Sequence, residues 1–169
     1  MFSHVYGSWR SVQKEKFEKI FARLGSEFIN TLESKLVIDI GAGSGYLEEF
    51  LQEKGIDTKN ITALEPDRKM IKQNRGKAHF VLGKAEQLPF RENSFDAAFI
   101  FDAIHLFQDR NFIEVVKPEG MLILTIFFND SNYYDKRKIL HENLSDCVIV
   151  DEFSIATREK ELVAVAKKK

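Results

Sequence analysis

The stretch VIDIGAGSGYLEEF, residues 37–50, sets three glycines, Gly41, Gly43 and Gly45, into five consecutive positions between an apolar run and an amphipathic one. The apolar run reads as a buried strand and the amphipathic run as a helix, so the glycines form the turn between them. Such a turn brings backbone close to a ligand, because no Cβ stands in the way and positive φ is open. Two ligand classes use it. The dinucleotide fingerprint G-x-G-x-x-G asks for glycine at 46, counted from Gly41 and Gly43, whereas this chain has Gly45 and then Tyr46. Glu48 and Glu49 open the helix; they repel a pyrophosphate but not a cation, and they also suit the positive end of the helix dipole. With Asp39 before the turn, Glu65 ending the next strand and Glu86 after the third, carboxylates rim the turn. That setting favours a positively charged nucleoside.

Outward from the turn, strands and helices alternate. Upstream, Phe17, Ile20, Phe21, Leu24 and Phe28 mark one apolar face of a helix within residues 10–30. Downstream come a helix from Tyr46 to Lys54 stopped by Gly55, strand ITALE, helix PDRKMIKQN, strand AHFVLG, a loop with Pro89, and strand FDAAFIF. A helix is expected near 109–116, then a turn at Lys117-Pro118-Glu119-Gly120, strand GMLILTIFF and a helix around 135–144. CVIVDEFSIA and ELVAVAKK alternate as strands and read as an antiparallel hairpin through TREK. The fold class expected is therefore α/β: a Rossmann-like, doubly wound sheet of seven strands, mostly parallel, with a C-terminal antiparallel hairpin. Residues 1–169 read as a single domain, with 1–35 a helical extension or lid and 36–169 the α/β core. Ligands of such sheets sit beyond the carboxyl ends of the strands, where the glycine turn lies.

Composition narrows the setting. The 25 Lys and Arg nearly balance 26 Asp and Glu, and the dense basic run is the terminal KKK, so nucleic acid is disfavoured as the main partner. No apolar run reaches the 18 or so residues that cross a bilayer, and MFSHVYGSWR lacks a secretory pattern, so no membrane partner is expected. The single Cys147 excludes an internal disulfide framework and a cysteine-based zinc site, and points to a reducing cytoplasm. No metal is expected, and the oligomeric state is open.

VIDIGAGSG resembles motif I of the class I S-adenosylmethionine-dependent methyltransferases, acidic-x-Gly-x-Gly-x-Gly, with Asp39, Gly41, Gly43 and Gly45 in place. ALEPDRKM, GKAEQLPFRENSFDAAF, DAIHLFQD and VVKPEGMLIL follow in order and resemble the later motifs of the ubiquinone/menaquinone-biosynthesis-type subgroup, across residues 37–124. The resemblance implies S-adenosylmethionine as cofactor. It implies that Gly41, Gly43 and Gly45 pass close to the methionine part, with Asp39 ordering the loop and the ligand's amino group. Glu65, twenty residues after Gly45 (65 − 45), matches the acid that accepts both ribose hydroxyls, and Pro66, Asp67 and Met70 follow beside the adenine. Met70 also fits an ordinary core position. Where many relatives read Gly-Asp-Ala-Glu, this chain reads Gly83-Lys84-Ala85-Glu86, so Glu86 is the nearest carboxylate for the adenine amino group, unless it is a solvated loop residue. The Ala85 N–H is placed to meet an adenine ring nitrogen.

On the acceptor side, His105 in DAIHLF suits a general base near neutral pH, or a histidine that only shapes the pocket. Asp102 reads as a pocket carboxylate or a helix cap. Tyr6, Trp9 and Tyr133, with Phe101, Phe107, Phe128 and Tyr134, are candidates to line an apolar or planar substrate site or to fill the core. The expectation is a cytoplasmic methyltransferase acting on a small molecule. The alternatives are a binder of S-adenosylmethionine that has lost its chemistry, and a nicotinamide-dependent oxidoreductase, which the glycine spacing opposes.

Overall fold

Strand formation follows the short apolar runs. The computed structural model describes residues 3–74 and 78–169, with side chains from residue 9 on. The strands are β1 (Val37–Ile40), β2 (Ile61–Glu65), β3 (His79–Leu82), β4 (Phe95–Phe101), β5 (Val116–Phe128), β6 (Cys147–Ala156) and β7 (Lys160–Lys168). They form one seven-stranded sheet in the order β3-β2-β1-β4-β5-β7-β6. β1 to β5 pair in parallel and β7 enters antiparallel between β5 and β6, which bears out the expected fold class. In register, Asp39 lies opposite both Ala63 and Phe99, which brings the carboxyl ends of β1, β2 and β4 level.

The helices are α1 (Ser3–Leu24), α2 (Ser26–Thr31), α3 (Tyr46–Glu53), α4 (Arg68–Gln73) and α5 (Tyr133–Asn143). Side chains alternate across each strand, so every strand feeds two cores. Val37, Ala97, Phe99, Ile123 and Val163 face α1 and α3, where Phe17, Ile20, Phe21, Phe50 and Leu51 are buried. Phe17 and Phe21 stand 5.6 and 5.7 Å from the Phe50 ring, so α1 is part of the packed layer over the sheet. Ile38, Ile40, Ala98, Leu122 and Leu124 face the opposite side, covered by Leu140 and Leu144 of the α5 region and by Ile104, Phe112 and Ile113 from the loops after β4.

Three elements differ from the sequence expectation. The helix within 10–30 is broken at Gly25, whose φ of 88° caps α2 afresh. No α-helix occupies 109–116; a single 3-10 turn spans Asn111–Ile113, and β5 begins at Val116. Lys117 precedes Pro118 and is driven from the helical region, while β-branched Val115 and Val116 favour the strand that follows. The KPEG stretch is thus absorbed into β5 as an irregularity opposite Phe95 and Ala97, with Glu119 at φ 63°. α4 starts at Arg68 and not at Pro66, since the Asp67 side chain accepts from the Lys69 N–H at 2.7 Å and caps it.

Candidate active site

A cavity of about 710 Å³ opens where the carboxyl ends of β1, β2, β3 and β4 meet. β1 and β4 are neighbours from which the chain runs outward in both directions, the switch point at which open α/β sheets bind ligands. Its walls include Gly41 after β1, Glu65 and Pro66 at the end of β2, Gly83 to Gln87 after β3, and Phe101 to Ala103 with Leu106 to Asp109 after β4.

The glycine turn has the strained form that its residues allow. Gly41, Gly43 and Gly45 take φ of 81°, 59° and 83°. A Cβ on Gly41 would stand 2.7 Å from the Cβ of Ala103, so the turn and the loop after β4 touch backbone to side chain with no room for a methyl group. The Gly41 and Ala42 N–H groups donate to the Leu64 carbonyl at 2.9 and 3.1 Å, and the Gly43 N–H donates to Glu65 Oε2 at 2.8 Å. The other oxygen of Glu65 accepts from the Asp67 N–H at 2.9 Å. Glu65 is therefore buried and fixed by two turns, and since a carboxylate has about four acceptor sites, lone pairs remain on it for further donors.

On the opposite wall Ala85 is buried and Lys84 exposed. Glu86 is half-buried; its Oε1 accepts from the Gln108 N–H at 3.4 Å and its carbonyl accepts from Asn111 Nδ2 at 3.4 Å. It is more than a solvated loop residue, because it ties together the two loops that wall the cavity.

At the acceptor side, Asp102 ends β4 with φ 54° and lines the cavity. Thr125 holds it from β5: the Asp102 N–H donates to Thr125 Oγ1 at 3.1 Å, and that hydroxyl donates to Asp102 Oδ1 at 3.0 Å. Lys16 of α1 donates to Asp102 Oδ2 at 2.5 Å and pairs with Glu161 Oε1 of β7 at 3.5 Å, with its ammonium over the Phe17 and Phe101 rings. Lys16 is 1 % exposed. Burial pushes Glu161 up to about 7, against the pull of Lys16, and its Oε2 has no hydrogen-bond partner. Lys16 was missed in the sequence, although it stands four residues before Ile20 on the apolar stripe of α1, where an aliphatic residue is the norm.

Other sequence candidates fall elsewhere. His105 is exposed on the 3-10 turn Ile104–Leu106, between lining residues Ala103 and Leu106. Trp9 is exposed on α1. Tyr6 belongs to α1, and its side chain lies outside the described residues. Tyr133 opens α5, half-buried with its ring 5.1 Å from Phe128.

Beneath the glycine turn lies a second acidic pair. Asp39 of β1 and Glu48 of α3 are both buried and face each other within hydrogen-bonding reach. Burial raises Asp39 well above the carboxylate range, reinforced by the charge of Glu48, and burial pushes Glu48 up to about 7.

The family model described as "Methyltransferase domain" matches residues 38–124. The chain belongs to this family. It is 28 % identical over 110 residues to a demethylmenaquinone methyltransferase of Renibacterium salmoninarum, covering 62 % of this chain and 46 % of that protein. A human mitochondrial arginine-hydroxylase is 26 % identical over 139 residues, covering 75 % of this chain and 40 % of that protein. The chain thus spans about half the length of the curated relatives it matches, or less. A solved S-adenosylmethionine-dependent methyltransferase of Methanosarcina mazei superposes with a TM-score of 0.66 at 21 % identity, over 85 % of this chain and 97 % of that one. The class I, ubiquinone/menaquinone-type resemblance is borne out, and with it S-adenosylmethionine as cofactor of the domain. The residues fit that group. Gly41 lines the cavity without a Cβ of its own, and a buried acid, Glu65, ends β2 in the same wall. Among the described residues no helix is long and apolar enough to cross a membrane.

Proposed function

We propose that this chain transfers the methyl group of S-adenosylmethionine to a small-molecule acceptor in the cytoplasm, with residues 36–169 as the catalytic core and 1–35 as a helical extension of one domain. The observation that carries the reading is the cavity at the switch point with Gly41, Glu65 and Glu86 in its walls. Bound there, S-adenosylmethionine supplies a methyl group on a sulfonium centre.

The chain's own residues do the rest. Glu65 accepts the ribose hydroxyls with the lone pairs its two backbone donors leave free. The glycine turn admits the methionine part, with Asp39 behind it, while Pro66, the Ala85 N–H and Glu86 flank the adenine. Phe101, Leu106 and Phe107 present an apolar wall that excludes water and orients the acceptor, from which much of the acceleration of a methyl transfer follows. Two groups are placed to take a proton from an acceptor: Asp102 in the cavity wall, and His105, exposed between lining residues. Trp9, Tyr6 and Tyr133 complete the set of substrate-side candidates. With a net charge of −1 the chain offers no basic field for nucleic acid, which favours a small acceptor.

Calorimetry with S-adenosylmethionine, S-adenosylhomocysteine and NADH tests the cofactor site; binding of NADH alone would overturn it. Transfer of labelled methyl groups to a panel of phenols, amines, thiols and carbon acids tests the activity. A second reading, a cofactor-binding protein with no methyl transfer, draws support from the relative named as an arginine-hydroxylase, since it shows this sequence pattern beside another chemistry. Tight cofactor binding with no labelled product would favour it.

A further inference from the structure

Carboxyls outnumber cations behind the cavity. Asp39, Glu48, Glu65 and Glu161 are buried, against Lys16 as the one buried basic side chain among the described residues. Lys16 is committed to Asp102 and Glu161. Glu65 is satisfied by the N–H groups of Gly43 and Asp67. That leaves the pair of Asp39 and Glu48. Glu48 is 0 % exposed, and neither of its oxygens meets a hydrogen-bond partner. Its Oε2 would stand 3.4 Å from a Cβ on Gly45, so the carboxyl points at the underside of the glycine turn. The group within reach is the Asp39 carboxyl, and two carboxylates have only acceptors to offer each other. A bond between them requires a proton.

The charged groups around the pair are few. Lys16 approaches from α1 and Glu65 from β2. Glu49 of α3 is turned to Arg10 at 2.6 Å, and α4 is followed by the neutral amide of Asn74 beside Gly45. Asp102 of β4 and Glu161 of β7 are paired with Lys16. Among the described residues no cation other than Lys16 is at hand to balance the second carboxylate once the proton leaves.

We propose that Asp39 and Glu48 share one proton beneath the glycine turn and release it when a cationic nucleoside binds, so that Glu48 sets the preference of the site for the sulfonium cofactor over its neutral thioether product. The inference rests on the reading that the methionine part of S-adenosylmethionine lies over the turn. One positive charge arrives with the ligand, one proton leaves for solvent, and no covalent bond forms or breaks. The thioether, S-adenosylhomocysteine, brings the same ammonium and carboxylate without the sulfonium charge, so the pair keeps its proton.

Titration calorimetry of the whole chain in buffers of different ionisation enthalpy counts the protons. S-adenosylmethionine is expected to release about one proton at pH 6.5–7 and to gain up to about tenfold in affinity per pH step of one, whereas S-adenosylhomocysteine releases close to none. In Glu48→Gln the amide N–H donates permanently to Asp39; the extra proton release is expected to vanish and the affinity ratio of the two ligands to shrink at least about threefold. If that variant does not fold, the buffer series on the natural chain decides alone. Equal proton release with the two ligands would overturn the proposal while leaving the cofactor reading intact. Failure of both ligands to bind would remove the cofactor reading, and the proposal with it.

Discussion

Glu65 joins two turns through one side chain at the place proposed for the ribose. Its carboxylate receives the Gly43 and Asp67 N–H groups, so it locks the turn after β1 to the turn after β2. Glu65→Ala is expected to weaken S-adenosylmethionine binding by about 1.5–3 kcal/mol, the range for hydrogen bonds to a charged group, and to lower the melting temperature as well. A dissociation constant unchanged in calorimetry would take Glu65 out of the ribose role. Gly41 is a purer steric test. With φ at 81° and Ala103 Cβ only 2.7 Å from an added methyl, Gly41→Ala is expected to cost about 1–3 kcal/mol by denaturant titration and to weaken cofactor binding. The role of Gly41 was legible in the sequence, because glycine spacing reports backbone geometry directly. The second duty of Glu65 was not, since nothing local shows which N–H groups will face a carboxylate.

At the scale of elements, α1 is both a core helix and an ionic pin. Its apolar face packs on α3 and β4, while Lys16 crosses 86 residues of sequence to reach Asp102. A buried ion pair is weak evidence for stability, but removing one partner leaves the other charged and unpaired. Lys16→Met is expected to destabilise the fold by about 3–5 kcal/mol in urea unfolding, and Lys16→Met with Asp102→Asn to recover part of that loss. Additive losses would show that the pair is not coupled. The elements themselves follow the sequence pattern in strands such as β7, depart from it at Gly25, where the helix expected over 10–30 breaks, and fail it at 109–116. There seven or eight residues ahead of Pro118 offered a helical pattern too short to hold against β-branched Val115 and Val116 and the demand of β4 for a parallel neighbour.

For the whole molecule, the buried acids set the pH dependence of stability. Glu48 and Glu161 are pushed up to about 7 by burial, and Asp39 is raised with them. Each binds its proton more tightly folded than unfolded, so its contribution is complete below the unfolded value of about 4 and is lost as pH rises through about 7. Asp96, lowered by its bond to Lys117, and Asp151, lowered by Arg23, act in the opposite sense, but their gain is already complete above about pH 5. Melting temperature is therefore expected to fall between pH 5.5 and 8. Glu48→Gln should flatten that fall, since a carboxyl moved from 4.5 to about 7 gives up about 2 kcal/mol between pH 5.5 and 7. A profile that climbs with pH in this window would contradict the burial of these groups.

What the sequence determined by itself is the part written in local spacing. Alternating apolar runs specify strands between helices, and the spacing of Gly41, Gly43 and Gly45 specifies the strand-to-helix turn; these need only neighbours along the chain. The tertiary structure decided which charges are dry. Lys16, Glu48 and Glu161 look like ordinary solvated residues of amphipathic segments until α1, α3 and β7 close over the same ends of the sheet. Burial and pairing are properties of what stands opposite, and a side chain separated from its partner by 86 residues carries no local sign of the meeting.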